Sequence, residues 1–440
     1  MDMSFPQMEL SEIPIINDTK SHTSFPDEFM IDEDEENLNI IEESEGSSID
    51  EEEEEEDDVF YTPGIQELYD TRTEILNQSL VKASQRVDSL RQKAKDSDFI
   101  KILKHRRSTN SKLATYELYG SQLIPGNTRA ISIVRFSKTS DLIACGSWDG
   151  SISILNSLDL STRGQVVSGS HLEKVGGLDW SFTSNENYLI SGANEGTINL
   201  WNITDTQDKI KPKATIKDAH SARITKTLFH PIISKYAIST SFDQTWKLWD
   251  LEMCKCLLEQ EGHSKEVFCG SMHPDGSLFA SGGLDGICHI WDLRSGRSIV
   301  RLQKHMQGIY STDWSPNGYH LATASGDCSV KIWDLRKLDR RDDEIFTIPS
   351  HKKIVSEVRF FNKRNEILAN ESESISNGTF LVTSSYDGNV NIWSSDNWIK
   401  VRTLQGHTEK VMSCDINGDG SQIISSGWDR SIKMWQSYQS

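Results

Sequence analysis

Long apolar runs are missing from this chain of 440 residues. None approaches the roughly 20 consecutive apolar residues that a bilayer crossing requires, so a membrane is not an expected partner. The opening MDMSFPQMEL has neither the basic start nor the apolar stretch of a secretory leader. Cysteine is sparse: seven residues, odd in number, scattered over 145, 254, 256, 269, 288, 328 and 414 without a C-x-x-C pair. That pattern argues against a disulfide framework or a zinc site and fits thiols kept reduced. Neither a phosphate-binding G-x-x-x-x-G-K loop nor an H-E-x-x-H motif occurs. No metal and no cofactor are expected, and nothing points to an enzyme.

Basic residues are in the minority, 46 against 66 acidic ones, for a net charge of −20. The imbalance sits at one end. Residues 1–64 hold 23 acids and one base, residues 65–115 six acids and eleven bases, and the rest 37 acids and 34 bases. Residues 1–58, with their EEEEEEDD run, cannot collapse around a core and read as a disordered acidic tail. Such a tail keeps a protein soluble, or imitates nucleic-acid charge toward neighbouring basic surfaces.

What the chain has in abundance is repetition. The phrase S-x-D-x-x-x-x-(I/L/V/M)-W recurs, most plainly in GLDGICHIWDLR (283–294), SGDCSVKIWDLR (325–336) and SGWDRSIKMWQ (426–436). The closing aromatic falls at Trp201, Trp249, Trp291, Trp333, Trp393 and Trp435, with Leu155 in the first copy. Successive gaps are 46, 48, 42, 42, 60 and 42 residues. Six residues earlier stands a turn acid: Asp149, Glu195, Asp243, Asp285, Asp327, Asp387 or Asp429. A histidine precedes every unit but the first, at His171, His220, His263, His305, His351 and His407. Between them run alternating strand patterns such as IYSTDW (309–314) and SVKIWDL (329–335), separated by Asp-Gly turns. A unit of about 40 residues is too small for a core of its own and is stable only beside copies of itself.

These features resemble the WD40 repeat, whose units are four-stranded blades set around a channel. The resemblance implies an all-β, seven-bladed propeller over residues 115–440. In such blades a His, a Ser or Thr, the Asp and the Trp form a buried hydrogen-bonded chain. His220, Asp243, Trp249, His263, Asp285, Trp291, His305, Asp327, Trp333, His407, Asp429 and Trp435 are therefore expected to be structural, because an active site needs one special copy and not six alike. Only QSYQS follows Trp435, too little for a fourth strand. TYELYGSQL (115–123) has the length and alternation to supply it and so to clasp the two ends of the ring. The D-x-N-x-D-G at Asp415–Gly420 has Ser426 where a calcium loop needs Glu, and reads as a turn.

Residues 62–110 predict a basic amphipathic helix. Thr62 is a candidate cap and Pro63 suits the first turn. Leu76, Leu80, Ala83, Val87, Leu90 and Ala94 form an apolar stripe, which either packs on the chain's own ring or docks a partner. Arg86, Arg91, Lys93, Lys95, Arg106 and Arg107 make the opposite surface a candidate for RNA or a partner. RQKAK (91–95) and KHRR (104–107) also suit nuclear import.

On the ring, the residue before each turn acid points to one channel mouth. These are Trp148, Asn194, Phe242, Leu284, Gly326, Tyr386 and Trp428. Phe268 and Tyr310, five residues after their histidines, reach the same rim, with Lys174, Arg223 and Lys410 nearby. Aromatics mixed with cations suit a protein hot spot and could stack on unpaired bases. Trp148, Lys174, Arg223, Phe242, Phe268, Tyr310, Tyr386, Lys410 and Trp428 are thus the expected partner-binding face. The insertion 361–378 belongs to the opposite face.

A finer resemblance narrows the function. QEGHSKEVF (260–268), HPDGSLFASGGLD (273–285), IYSTDWSPNGYHLATASGD (309–327), TLQGHTEKVMSCDI (403–416) and TPGIQELYDTRTEILNQSLVKASQRV (62–87) are similar to the pre-mRNA-processing factor 4 family. The resemblance implies a non-catalytic scaffold of the U4/U6 and U4/U6.U5 small nuclear ribonucleoproteins, needed for pre-mRNA splicing in the nucleus. Its implied partners are the homologue of pre-mRNA-processing factor 3, U4/U6 small nuclear RNA with the small protein on the U4 stem, and other U4/U6.U5 components. A second copy of the chain is not among them. Residues 1–56 lack the family's usual GEPI-x-LFGE phrase, so no contact through that phrase carries over. The alternative is a substrate receptor of a cullin-type ubiquitin ligase, because WDLR occurs twice, at 291–294 and 333–336.

Overall fold

The computed structural model describes residues 66–95, 98–166, 171–181, 187–203, 209–337, 344–363 and 377–437. The acidic segment 1–58, Thr62, Pro63 and most of the 361–378 insertion lie outside them. Seven antiparallel sheets follow one another along the chain. The fourth is representative, with strands Val267–Met272, Leu278–Gly283, Cys288–Asp292 and Arg297–Leu302. The innermost strand of each sheet packs on those of its neighbours, and that of the seventh packs on that of the first. The result is a closed seven-bladed propeller. In the first blade the outer strand Thr162–Val166 gains a further, parallel partner, Lys209–Ile210.

One register repeats throughout. The signature aromatic pairs with the second residue of the preceding strand, as in Phe279 with Trp291 and Leu321 with Trp333, and Leu155 takes that place opposite Ile143. The residue after each turn acid has a left-handed backbone, whether it is Gly150, Gly196, Gly286 or Gly388, or Gln244, Cys328 or Arg430. At Gly150 and Gly196 glycine is required for a second reason. A Cβ there would lie 2.4 and 2.3 Å from the carbonyl oxygens of His171 and His220 in the next blade's loop.

The histidine network is as regular. In the fifth blade the Trp333 indole N–H donates to Thr323 Oγ1 (2.8 Å), which bonds His305 Nε2 (2.7 Å), and His305 Nδ1 meets Asp327 Oδ2 at 2.8 Å. The carboxylate can only accept, so Nδ1–H donates to it; Nε2 of the neutral ring is then the acceptor, and the hydroxyl, while accepting from the indole, donates to it. The same chain links Trp249, Ser239, His220 and Asp243; Trp291, Ser281, His263 and Asp285; and Trp435, Ser425, His407 and Asp429. The second and sixth blades repeat it around His171 and His351. Burying three polar groups is tolerable here because each is satisfied by the next.

Blades are also stapled to one another. Asp179, Asp313 and Asp415, all on innermost strands, accept the backbone N–H of Phe229, Phe360 and Phe136 in the following blade at 2.7–2.9 Å. Asp415 is thus turned to a neighbouring strand, and Asn417 and Gly420 close a turn after it through the Gly420 N–H to Asn417 carbonyl bond. The strand β1 (Tyr116–Leu123) pairs antiparallel with Ser431–Ser437 and becomes the outer strand of the seventh blade. Tyr116 is buried, and its hydroxyl donates to the Gly420 carbonyl.

Two helices precede β1. Helix α1 (Gln66–Lys95) buries Leu68, Thr71, Ile75 and Ser79. Leu68 and Ile75 join a core cluster with Tyr236, Trp246, Phe279 and Trp291 of the third and fourth blades. The expected stripe is therefore one residue out of phase with the packed face: Leu80 is 56 % exposed. The packed face escapes an apolar pattern because half of it is hydroxyl. Thr71 and Ser79 are buried by donating to the helix's own carbonyls, Glu67 and Leu76. At its far end Arg86 forks onto Asp275 (2.6–3.0 Å) and donates to the Asn317 carbonyl at 2.6 Å. Asp98 caps α2 (Phe99–Ala114), and Leu113 enters the seventh blade's core beside Tyr116 and Trp435.

Two outcomes follow from this packing. Burial opposes ionisation of the turn acids, but the bond and charge of each histidine together with bonds from nearby backbone N–H groups and, in three blades, a hydroxyl outweigh it. Asp285 and Asp387 are held down to about 2, and Asp243, Asp327 and Asp429 lie below the usual carboxylate range as well. A depressed folded pKa gives stability that is present above the unfolded value of about 4 and lost as pH falls toward about 2. The urea midpoint should therefore drop steeply in that window, and Asp327→Asn should lower it at pH 7 while flattening the drop. Arg86→Ala leaves Asp275 without its cation and should cost about 2 kcal/mol. Hydrogen exchange should show it as faster exchange confined to the second half of α1.

Candidate functional site

The histidine loops and the turn-acid loops open on the same end of the ring, the top. A repeated backbone bond puts them there: the N–H before each turn acid donates to the carbonyl three residues after the histidine. It links Asn194 to Lys174, Phe242 to Arg223, Leu284 to Glu266, Gly326 to Gly308, Tyr386 to Ile354 and Trp428 to Lys410, with Trp148 to Ala130 in the first blade. Where the first position is aromatic and the second cationic, the two side chains meet.

They meet as rings under cations. Lys174 Nζ lies 4.4 Å from the centre of the Trp148 ring, and the Arg223 guanidinium 5.7 Å from that of Phe242. Lys410 spans two blades, 5.2 Å from Tyr386 and 4.5 Å from Trp428. Rings also meet rings. Trp148 and Trp428 form an edge contact at 5.3 Å across the join between the first and last blades. Phe268 lies between Phe242 (6.1 Å) and Tyr310 (4.9 Å). All nine residues of the expected face therefore stand around one mouth. Lys174, Arg223, Phe242, Phe268, Tyr310 and Tyr386 wall a depression with Asn194, and Trp148, Lys410 and Trp428 form the adjoining arc. Gly326, with no side chain, lies under Tyr310.

The floor of that depression was not foreseen. Lys226 and Glu357 come up through the channel, where Glu357 also takes Arg135 (2.5 Å) and Ser413 (2.5 Å) and lies 3.5 Å from Arg359. Burial would raise the Glu357 pKa, but Arg135, Lys226 and Arg359 hold it well below the usual range. Asp313, nearby, is pushed by burial up to about 6. Four blades are thus tied across the channel through one carboxylate. The signal was present in the sequence as charges inside apolar innermost strands, IVRF, ITKTLF and SEVRF.

The basic helix divides. Arg86 is committed to Asp275 and Asn317, and Arg106 pairs with Asp396 at 3.1 Å, so neither is a free contact for RNA. Arg91, Lys93, Lys95 and Arg107 are exposed, Arg91 with Asp88 at 3.7 Å. Asp275 and Asn317 lie in turns joining first and second strands, at the end of the ring opposite the mouth. Aromatic rim and basic helix therefore serve different faces. The two WDLR arginines are braces: Arg294 forks onto Asp292 at 3.0 Å, and Arg336 onto Asp334 at 2.7–2.9 Å while covering Tyr319.

Known proteins agree with this architecture. The family described as "WD domain, G-beta repeat" matches residues 120–156, 164–202, 254–292, 296–334, 343–394 and 398–436, leaving the third blade unmatched. The chain is 39 % identical over 407 residues to the U4/U6 small nuclear ribonucleoprotein PRP4 of Saccharomyces cerevisiae, covering 92 % of this chain and 83 % of that one. It is 50 % identical over 60 residues to a PRP4-like protein of Arabidopsis thaliana, 14 % of this chain and 11 % of the other. A guanine nucleotide-binding protein β subunit of Oryza sativa is 22 % identical over 311 residues, 68 % of this chain and 67 % of its own. Taken with the seven blades and the helical segment before them, these matches place the chain in the PRP4 family of WD40-repeat proteins.

Proposed function

We propose that this chain is a non-catalytic scaffold subunit of the nuclear U4/U6 and U4/U6.U5 small nuclear ribonucleoproteins and acts in pre-mRNA splicing by holding partner proteins. The observation that carries the reading is the 39 % identity, across 92 % of the chain, with a yeast U4/U6 small nuclear ribonucleoprotein. The geometry favours binding over chemistry. The histidines and acids repeat in six blades in one structural arrangement, while the distinctive side chains are aromatic rings and cations at the mouth. Rings locked by neighbouring rings and cations are already ordered, so a partner meets a preformed surface with little entropy left to lose. The homologue of pre-mRNA-processing factor 3 is the partner this reading assigns to the mouth. U4/U6 RNA and the small protein on the U4 stem lie nearby, with Arg91, Lys93, Lys95 and Arg107 available to phosphate on the other face. The folded-back Arg294 and Arg336 support structural bracing over recognition by a ligase adaptor.

Purification of the tagged chain from its own cells should recover both U4 and U6 RNA. Trp428→Ala and Tyr386→Ala should each weaken partner binding by about 2 kcal/mol, roughly thirtyfold, with the melting temperature little changed. Recovery of neither RNA, with a cullin adaptor in their place, would overturn the reading.

A further inference from the structure

The cations at the top mouth differ from those in the channel in one respect. Arg135, Lys226 and Arg359 share Glu357, and Arg359 also reaches Asp313 at 3.6 Å. Among the described residues, Lys174, Arg223 and Lys410 form no ion pair, and each has an aromatic face in place of a carboxylate. A ring face orients a cation and is worth about 0.5–2 kcal/mol, but it leaves the charge uncancelled. The mouth is therefore wired for a negative charge that none of the described residues supplies.

We infer that the depression is a slot for one carboxylate of an acidic peptide segment, held between the Lys174 ammonium and the Arg223 guanidinium. This rests on the reading above that the top mouth is the partner-binding face. Burial, and after it the neighbouring Arg223, pulls the Lys174 pKa down to about 8, so an arriving carboxylate relieves a cation that water solvates poorly. Charge-assisted bonds to a partly desolvated ammonium and guanidinium are the stronger class of hydrogen bond. Phe242, beside Arg223, and Phe268 and Tyr310 beyond it offer apolar surface to the residue beside the acid.

One feature favours a peptide carboxylate over an RNA phosphate. Base recognition at a single-stranded site uses open aromatic faces. Here a cation already occupies a face of Trp148, Phe242, Tyr386 and Trp428.

The test places benzoylphenylalanine at position 242 of the full chain in its native particle, with irradiation and peptide mapping of the crosslink. The expected product is a protein segment bearing Asp or Glu within a few residues of the attachment point. Lys174→Met with Arg223→Gln, the first half-buried and the second exposed, both at the mouth and outside the blade cores, should lower its yield at least about tenfold with the melting temperature little changed. A synthetic peptide of the mapped segment should lose at least about tenfold in affinity when its acids become Gln. A crosslink to RNA, to a segment without acids, or one indifferent to the double substitution overturns the proposal, as does no crosslink at all. Recovery of U4 and U6 RNA in the same preparation is read separately, so a failed slot and a failed particle assignment remain distinct results.

Discussion

A single blade has two faces to cover and no core of its own, so everything in this molecule depends on the ring closing. Closure is achieved by β1, which enters from before the first blade and completes the last. The same requirement explains why so much polarity is buried at the joins. Aspartates on innermost strands staple one blade to the next, and Glu357 reaches across the channel to blades that are not its neighbours. Helix α1 adds a strap over the third to fifth blades, fixed by Leu68 and Ile75 at one end and Arg86 at the other.

The mouth inherits its rigidity from that frame. In six blades the residue before the turn acid is fixed by a backbone bond to the loop of its histidine, and each histidine is fixed by its hydroxyl and acid; Trp148 makes the same bond to Ala130. Side chains placed this way lose little freedom when a partner arrives, which suits a surface whose task is to hold. Because α1 anchors on the opposite end, the chain offers two separate faces, one aromatic and cationic, the other basic and helical.

Much of this was legible in the sequence because the repeat constrains it. Spacing alone located the aromatic slot, including Leu155, and the residue before each turn acid gave the rim. The length and alternation of TYELYGSQL marked it as an outer strand, and β1 stands in that place beside Ser431–Ser437. Two things were not legible, for physical reasons. The packed face of α1 is half hydroxyl, and Thr71 and Ser79 satisfy themselves on their own helix, so an apolar pattern points to the neighbouring stripe. Arg86 was grouped with the basic surface because no local pattern reveals a partner at Asp275, 189 residues away. The channel hub has the same character: Arg135, Lys226 and Glu357 meet only when the ring is closed.

The central claim is that partners are held at the top mouth and not on the strapped underside. Amide hydrogen exchange on the free chain and on the chain within its native particle tests this most directly. The account predicts slowed exchange in the loops around Lys174, Arg223, Tyr386 and Lys410, with the turns at Asp275 and Asn317 unchanged. Protection confined to those turns, with the mouth exchanging as fast as in the free chain, would contradict it.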